Sequence, residues 1–283
     1  MADGHAGELK IGAIIQARMK SYRLPGKILL PLPFNSSDAL LTWPIRQLKK
    51  SRLIHLTVLA TSVNKENEQL KNFAAEQDIL FYAGSEENAL SRFAEAADKY
   101  QLDIFIRITG DNPVIDEKLI DELIDLHVKG NYDYSFSSNL PTGMNVEVVT
   151  VAALKEINNR KDLLPSDEEH VTSFFKRKNL YRVLHHHFET GLNKNVRLTV
   201  DYPADYAMMN LVIAISKANN LFGVDLIKFI ETNYAWVFQV NNHLFQKKQY
   251  SSLKEEIVDS VNMLQLQEFN FTLDFLKKKI DEA

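Results

Sequence analysis

The chain has 283 residues, 45% of them hydrophobic and 25% charged, with a net charge of −4 and no cysteine. This is the balance of a globular protein with one substantial core, and it excludes disulfides, thiolate metal sites and cysteine nucleophiles. The mild acidity offers no general attraction for nucleic acid or an anionic membrane. No run reaches the ~20 apolar residues that span a bilayer, and residues 1–10 lack the apolar segment of a signal peptide, so a cytoplasmic location is expected.

Residues 11–15 are continuously apolar and read as a buried β-strand. The segment leaving that strand, from Gln16 to Lys27, carries Arg18, Lys20, Arg23 and Lys27 with no acidic residue among them, and Pro25-Gly26 bends the backbone. Four cations on one turn-rich loop repel one another unless a multiply charged anion sits among them; a triphosphate is the natural candidate. Further strands are expected at residues 56–60, 79–82 and 103–108. Helices are expected near residues 43–51, 65–77, 88–100 and 117–129, with Asn64 and Asp116 as N-caps. Such alternation predicts a largely parallel sheet covered on both faces.

After Tyr132 the texture changes. Residues 135–139 and 141–143 read as a polar loop, and residues 146–151 as a strand. A helix capped by Ser166 or Asp167 follows, running to Lys178, then strands at 181–187 and 196–200 and helices at 204–219 and 224–232. The Leu-, Glu- and Lys-rich residues 252–283 read as helical. The expected organisation is one domain over residues 1–250 with a C-terminal helical extension over 251–283.

Two aspartates complement the basic loop. One apolar run ends in Thr109-Gly110-Asp111-Asn112-Pro113, and a later one in Val200-Asp201-Tyr202-Pro203-Ala204-Asp205. Each has a plain structural alternative: Asp111 in a turn, and Asp201 as a helix N-cap with Asp205 in the first turn. If the two runs are parallel neighbours, both carboxylates emerge at the sheet edge that receives the basic loop, where open α/β sheets bind ligands. Arg18 and Arg23 then fork onto phosphate oxygens and Lys27 acts as a point charge. Mg²⁺, which takes one or two carboxylates plus phosphate oxygens, suits Asp111 and Asp201.

Several other side chains have plain readings. Neighbours in His185-His186-His187 point to opposite faces of a strand, so the run is read as a partly exposed strand before it is read as a metal site. Asp167, Glu168 and Glu169 complement a helix dipole. Glu147, on an otherwise apolar strand, needs a partner, either a sugar hydroxyl or an ion pair. Tyr132, Tyr134 and Phe136 are expected to fill the core rim, and Lys277–Lys279 to form a solvated helix face.

The segment Arg18-Met19-Lys20-Ser21-Tyr22-Arg23-Leu24-Pro25-Gly26-Lys27 resembles the opening signature of the sugar cytidylyltransferases that make CMP-activated acidic sugars, the acylneuraminate cytidylyltransferase-like family. The two aspartate segments look like that family's aspartate motifs. Gly143-Met144-Asn145-Val146-Glu147-Val148 and Glu168-Glu169-His170-Val171-Thr172 are similar to middle motifs of its spore-coat polysaccharide subgroup. The resemblance spans residues 11–209. It implies a Rossmann-like nucleotide-diphospho-sugar transferase fold, a three-layer α/β/α sandwich around a mixed, mostly parallel sheet, and a homodimer.

The resemblance also implies a nucleotidyltransferase that passes CMP from CTP to a sugar, with release of pyrophosphate, in polysaccharide biosynthesis. Arg18, Lys27 and Asp111 are its expected catalytic residues, and Asp111 and Asp201 hold Mg²⁺. Gln16, Ala17, Arg18, Arg23, Lys27, Thr61, Ser85, Arg92 and Asp111 are expected around the nucleotide, and Asn139, Glu147 and His170 around the sugar. Lys20 occupies a position the resemblance leaves free. The chain departs from the acidic-sugar synthetases between Gly84 and Arg92, near the nucleobase, which leaves base and sugar open. The alternatives are a glycosyltransferase of the same fold, for which Asp111 lacks an Asp-x-Asp partner, and a non-catalytic nucleotide-binding protein.

Overall fold

In the computed structural model, which describes residues 9–244, 253–266 and 270–281, one sheet organises the chain. Its strands are β1 (Ile11–Gln16), β2 (Leu56–Ser62), β3 (Leu80–Gly84), β4 (Ile104–Thr109), β5 (Tyr134–Ser138), β6 (Glu147–Thr150) and β7 (Val183–His187). They lie in the order β3-β2-β1-β4-β6-β5-β7. Strand β6 runs antiparallel to both neighbours and the other pairings are parallel. Strand β1, inside the sheet, is apolar from Ile11 to Ile15 because both its faces are covered.

On one face Ala13, Ile15 and Ile106 meet α1 (Thr42–Leu48), α2 (Glu68–Glu76), α4 (Glu117–Lys129), α8 (Pro203–Asn219) and α9 (Gly223–Asn233). On the other, Ile14, Val58, Phe105 and Val149 meet α3 (Ala89–Lys99), α5 (Val151–Asn158) and α7 (Ser173–Arg177). The expected three-layer sandwich results. The extension forms two helices, α10 (Leu253–Leu266) and α11 (Asn270–Asp281); the expected boundary at residues 250–251 lies outside the described residues. Lys278 is exposed, and the side chains of Lys277 and Lys279 also lie outside them.

Four local expectations need correction. Residues 135–138 are not a loop, though Asn139 leaves the strand at φ 62°: Ser135 and Ser137 sit buried in β5 because their hydroxyls are paired, Ser137 Oγ accepting from Val146 N at 2.7 Å and Ser135 meeting His127 Nδ1 at 2.8 Å. Residues 196–200 are not a strand; this extended segment joins the sheet region through a Thr142–Arg197 bridge and a Val200 N to Asp111 O bond of 2.9 Å. The single helix expected to reach Lys178 is split into α6 (Pro165–His170) and α7 by Val171, buried at φ 60°, a costly conformation for a β-branched residue. Asn64 makes no cap bond, whereas Asp116 accepts from Lys118 N and Leu119 N as expected.

Candidate active site

Strand β1 ends at Gln16, and the basic loop follows. Gly26 has φ 67°, a left-handed turn that glycine takes without strain, and it turns Lys27 inward. Lys27 is buried, and its ammonium donates to Asp111 Oδ2 at 2.7 Å, Val200 O at 2.7 Å and Asp201 Oδ1 at 2.8 Å. The two aspartates thus meet at the expected sheet edge, Asp201 arriving on an extended segment and not on a strand.

Asp201 does not cap α8. The N-cap is Tyr202, and Asp205, in the first turn as expected, accepts from the backbone N–H groups of Asp201 at 2.9 Å and Tyr202 at 3.0 Å. Fully buried Asp205 also receives Arg197 Nε at 3.0 Å, Arg197 Nη2 at 3.2 Å and Asn241 Nδ2 at 2.8 Å. Asp201 is left to face the cations. Its Oδ1 lies 3.0 Å from Arg23 Nη2, and its Oδ2 accepts from Arg197 Nη2 at 2.8 Å. Burial alone would raise its pKa, but Lys27, Arg197 and Arg23 hold it below the usual carboxylate range.

Two of the four loop cations, Arg23 and Lys27, therefore carry counter-ions from the protein itself. Arg18 and Lys20 are exposed. Arg92 is buried, donates to the Ser85 carbonyl, and has its pKa pushed down by burial and then by the nearby Arg18.

Two cavities adjoin here. One of about 630 Å³ is bounded by Gln16, Ala17, Arg18, Lys20, Arg23, Lys27 and Arg92; the other, of about 650 Å³, by Asn112, Gly143, Glu147, Lys176 and Thr199. Arg107, Thr109, Asp111, His170 and Asp201 border both. Gly143 has φ 102°, and a Cβ there would lie 2.9 Å from the Leu198 and Thr199 backbone, so glycine permits this close approach. Buried polar atoms without a protein partner gather at the same edge: Gln16 Oε1, Thr61 Oγ1, Arg92 Nε, Arg107 Nε and Asn112 Oδ1. Native interiors rarely leave such groups unpaired, so each is a natural contact for a ligand or water. A third cavity of about 500 Å³, beside His127 and Tyr132 at the opposite sheet edge, has none of these groups.

Strand register builds the floor of the second cavity. Arg107 on β4 pairs with Glu147 on β6, Glu147 with Phe136 on β5, and Phe136 with His185 on β7. The Glu147 carboxylate accepts from Arg107 Nη1 at 2.7 Å, Thr172 Oγ1 at 3.1 Å, Lys176 Nζ at 3.0 Å and the Tyr134 hydroxyl. Burial raises its pKa, yet Arg107, Lys176 and these bonds bring it down to about 2. The side chain expected to read sugar hydroxyls is instead occupied by an ion-pair network. Burial and the adjacent Glu147 push the Tyr134 phenol up.

His185 Nε2 and His187 Nδ1 both meet Ser138 Oγ, at 2.7 and 2.9 Å, while His186 turns to Glu122 at 3.2 Å, the alternation of a plain strand. Among the described residues, no group of three or more His, Cys, Asp or Glu is arranged to hold a metal.

Three expected site residues lie off both cavity walls. Thr61 is buried in β2. Ser85 Oγ accepts from Asn88 N at 3.0 Å, and the Asn139 amide donates to Phe188 O at 2.8 Å. Conversely, Arg107 and Arg197 escaped the sequence reading, which places Asp205 in the first helical turn but without its pairing to Arg197. The signal was present: Arg107 and Arg197, like Glu147, are lone charges in alternating apolar runs, and each costs free energy unless paired.

The cytidylyltransferase family model matches residues 12–267. The chain is 36% identical to the spore coat polysaccharide biosynthesis protein SpsF of Bacillus subtilis, over 68% of this chain and 82% of that protein. It is 32% identical to a 3-deoxy-manno-octulosonate cytidylyltransferase of Fusobacterium nucleatum, over 41% of this chain and 46% of that one. Among solved structures, a cytidylyltransferase from Leptospira borgpetersenii superposes with a TM-score of 0.75 at 27% identity, covering 86% of this chain and all of the other.

Proposed function

The chain belongs to the cytidylyltransferase family, and we propose that it transfers CMP from CTP to a hydroxyl of an acidic sugar used in a surface polysaccharide. The carrying observation is the pair of adjoining cavities, cation-rich on one side, that meet at Asp111 and Asp201. A triphosphate in the first cavity presents its α-phosphorus at that junction, and a sugar in the second presents its hydroxyl. The sugar oxygen forms a bond to the α-phosphorus as the bond to the β-phosphate oxygen breaks. Pyrophosphate leaves, and the hydroxyl proton passes to solvent.

Positioning and charge stabilisation dominate such a transfer. Arg18 and Arg23 clamp phosphate oxygens, and Lys27 neutralises charge growing on the leaving pyrophosphate. Gln16 Oε1 and Arg92 Nε, both unpaired, supply an acceptor and a donor for the nucleotide.

Mg²⁺ is part of the proposal. Two carboxylates close enough to share one ammonium form an all-oxygen donor set that fits a hard dication completed by phosphate oxygens. Asp201 already serves three cations, so its donation requires Lys27 or Arg23 to turn toward the triphosphate. When bound, Mg²⁺ offsets phosphate charge and acidifies the attacking hydroxyl.

Homodimerisation and cytoplasmic residence belong to the same proposal. The resemblance supports the dimer, for which exposed Trp236, Phe271 and Phe275 offer apolar surface; the cytoplasmic reading rests on the sequence composition. Among the described residues, no helix is long and apolar enough to cross a membrane. Melting curves with CTP, UTP and a UDP-sugar, each with Mg²⁺, test the nucleotide assignment. The largest rise is expected with CTP; a larger rise with the UDP-sugar would favour a glycosyltransferase.

A further inference from the structure

Among the described residues, Arg107 is the only Arg or Lys that borders both cavities. Its Nη1 is fixed on Glu147 Oε2 at 2.7 Å, and its buried Nε has no partner. Lys176 shares the same carboxylate at 3.0 Å and lies 4.8 Å from the Phe136 ring centre. Two cations on one carboxylate leave this cluster with one excess positive charge, Arg107 and Glu147 being mostly buried and Lys176 half exposed. Glu147 already accepts from four side chains and has little left to offer a sugar. Arg197, the other guanidinium on this wall, is spent on Asp201 and Asp205.

We propose that Arg107 binds the carboxylate of the acidic sugar, with Glu147 holding the guanidinium in position; this rests on the functional reading above. The triphosphate side already has Arg18, Lys20, Arg23, Lys27 and Arg92. In the sugar cavity, the cations beside Asp111 and Asp201 are taken up by those carboxylates, so a sugar carboxylate settles at the Arg107 end while the attacking hydroxyl points to the aspartates. A planar guanidinium with its Nε–H unpaired matches a carboxylate in a way an ammonium does not.

The test compares CMP transfer to a panel of 2-keto-3-deoxy sugar acids, 3-deoxy-manno-octulosonate included, with transfer to their methyl esters. The wild type is expected to prefer acid over ester by at least about tenfold in kcat/KM. Arg107→Lys keeps the charge and loses the fork. The double variant Arg107→Gln/Glu147→Gln removes both charges together and leaves no buried carboxylate stranded. In both, the KM for the acid should rise at least about tenfold and the acid preference collapse, with the KM for CTP nearly unchanged. A wild type indifferent to the ester, a preserved preference in Arg107→Lys, or a rise confined to the KM for CTP would each overturn the assignment while leaving CMP transfer intact. Failure of the wild type on every sugar would instead overturn the functional reading.

Discussion

Lys27 and Asp111, separated by 84 residues in sequence, meet at 2.7 Å, and the same ammonium reaches Asp201 at 2.8 Å. The basic loop is thus docked by its own counter-ions before any phosphate arrives. Triphosphate binding then exchanges one set of ionic partners for another, and the cations need not be assembled from solvent. Preorganisation of this kind is what electrostatic catalysis requires.

Replacing Lys27 by Met takes from Asp111 its ion-pair partner, leaves Asp201 to Arg23 and Arg197, and removes charge from the leaving group. Pyrophosphate release should fall by about 10²–10³-fold, with Lys27→Arg intermediate. Stopped-time pyrophosphate assays check this; a Met variant at wild-type speed would remove Lys27 from the chemistry.

Asp205 should matter through Asp201. It is fully buried and supports Arg197, which in turn fixes Asp201 Oδ2. Asp205→Asn leaves the buried Arg197 guanidinium with Asp201 as its one carboxylate and should cost about 1–3 kcal/mol in denaturant unfolding. A loss below about 1 kcal/mol, the scale of an exposed pair, would mean that Arg197 finds another partner.

Glu147 gives an acid limb. Its carboxyl titrates near 4.5 when exposed and at about 2 in the fold, so its stabilisation is fully present above pH 4.5 and is lost as pH falls toward 2. The amount is at most about 3 kcal/mol. Unfolding of Glu147→Gln measured across this window should be less stable at neutral pH and flatter in acid. An unchanged slope would contradict the assignment.

His127 acts in a different window. Burial, only partly opposed by Asp133, lowers its pKa from 6.5 to about 4, and its ring nitrogens meet Ser135 Oγ at 2.8 Å and Thr150 Oγ1 at 3.0 Å. Between pH 6.5 and 4 the unfolded chain binds a proton that the folded chain refuses, so stability declines with falling pH by up to about 3 kcal/mol. His127→Gln should abolish that decline; Tm recorded at pH 7, 6 and 5 would show it.

Much of this was legible in the sequence. Apolar runs located β1 to β4, and the caps and periodicity located α3, α4 and α8, because these elements are buried in the regular way that patterns encode. The meeting of Lys27 with Asp111 followed from β1 and β4 ending at one edge, whereas Asp201 reaches that edge on an extended segment and not on the expected strand. What failed was non-local. Ser135 and Ser137 look like loop residues until the partners of their hydroxyls arrive from α4 and from Val146, just before β6. The 196–200 segment alternates like a strand but finds no ladder, only Thr142 and Asp111. Glu147 announced that it needed a partner but not which one, since Arg107 lies 40 residues away and only strand register joins them.

The most direct measurement is mass spectrometry of the products formed from CTP, Mg²⁺ and a panel of sugar acids, by the wild type and by Asp111→Asn. The account predicts a CMP-sugar with one pyrophosphate released per transfer, at a rate lowered at least about 10²-fold by the substitution. Absence of any CMP adduct with the wild type, or an Asp111→Asn enzyme as fast as the wild type, would contradict it.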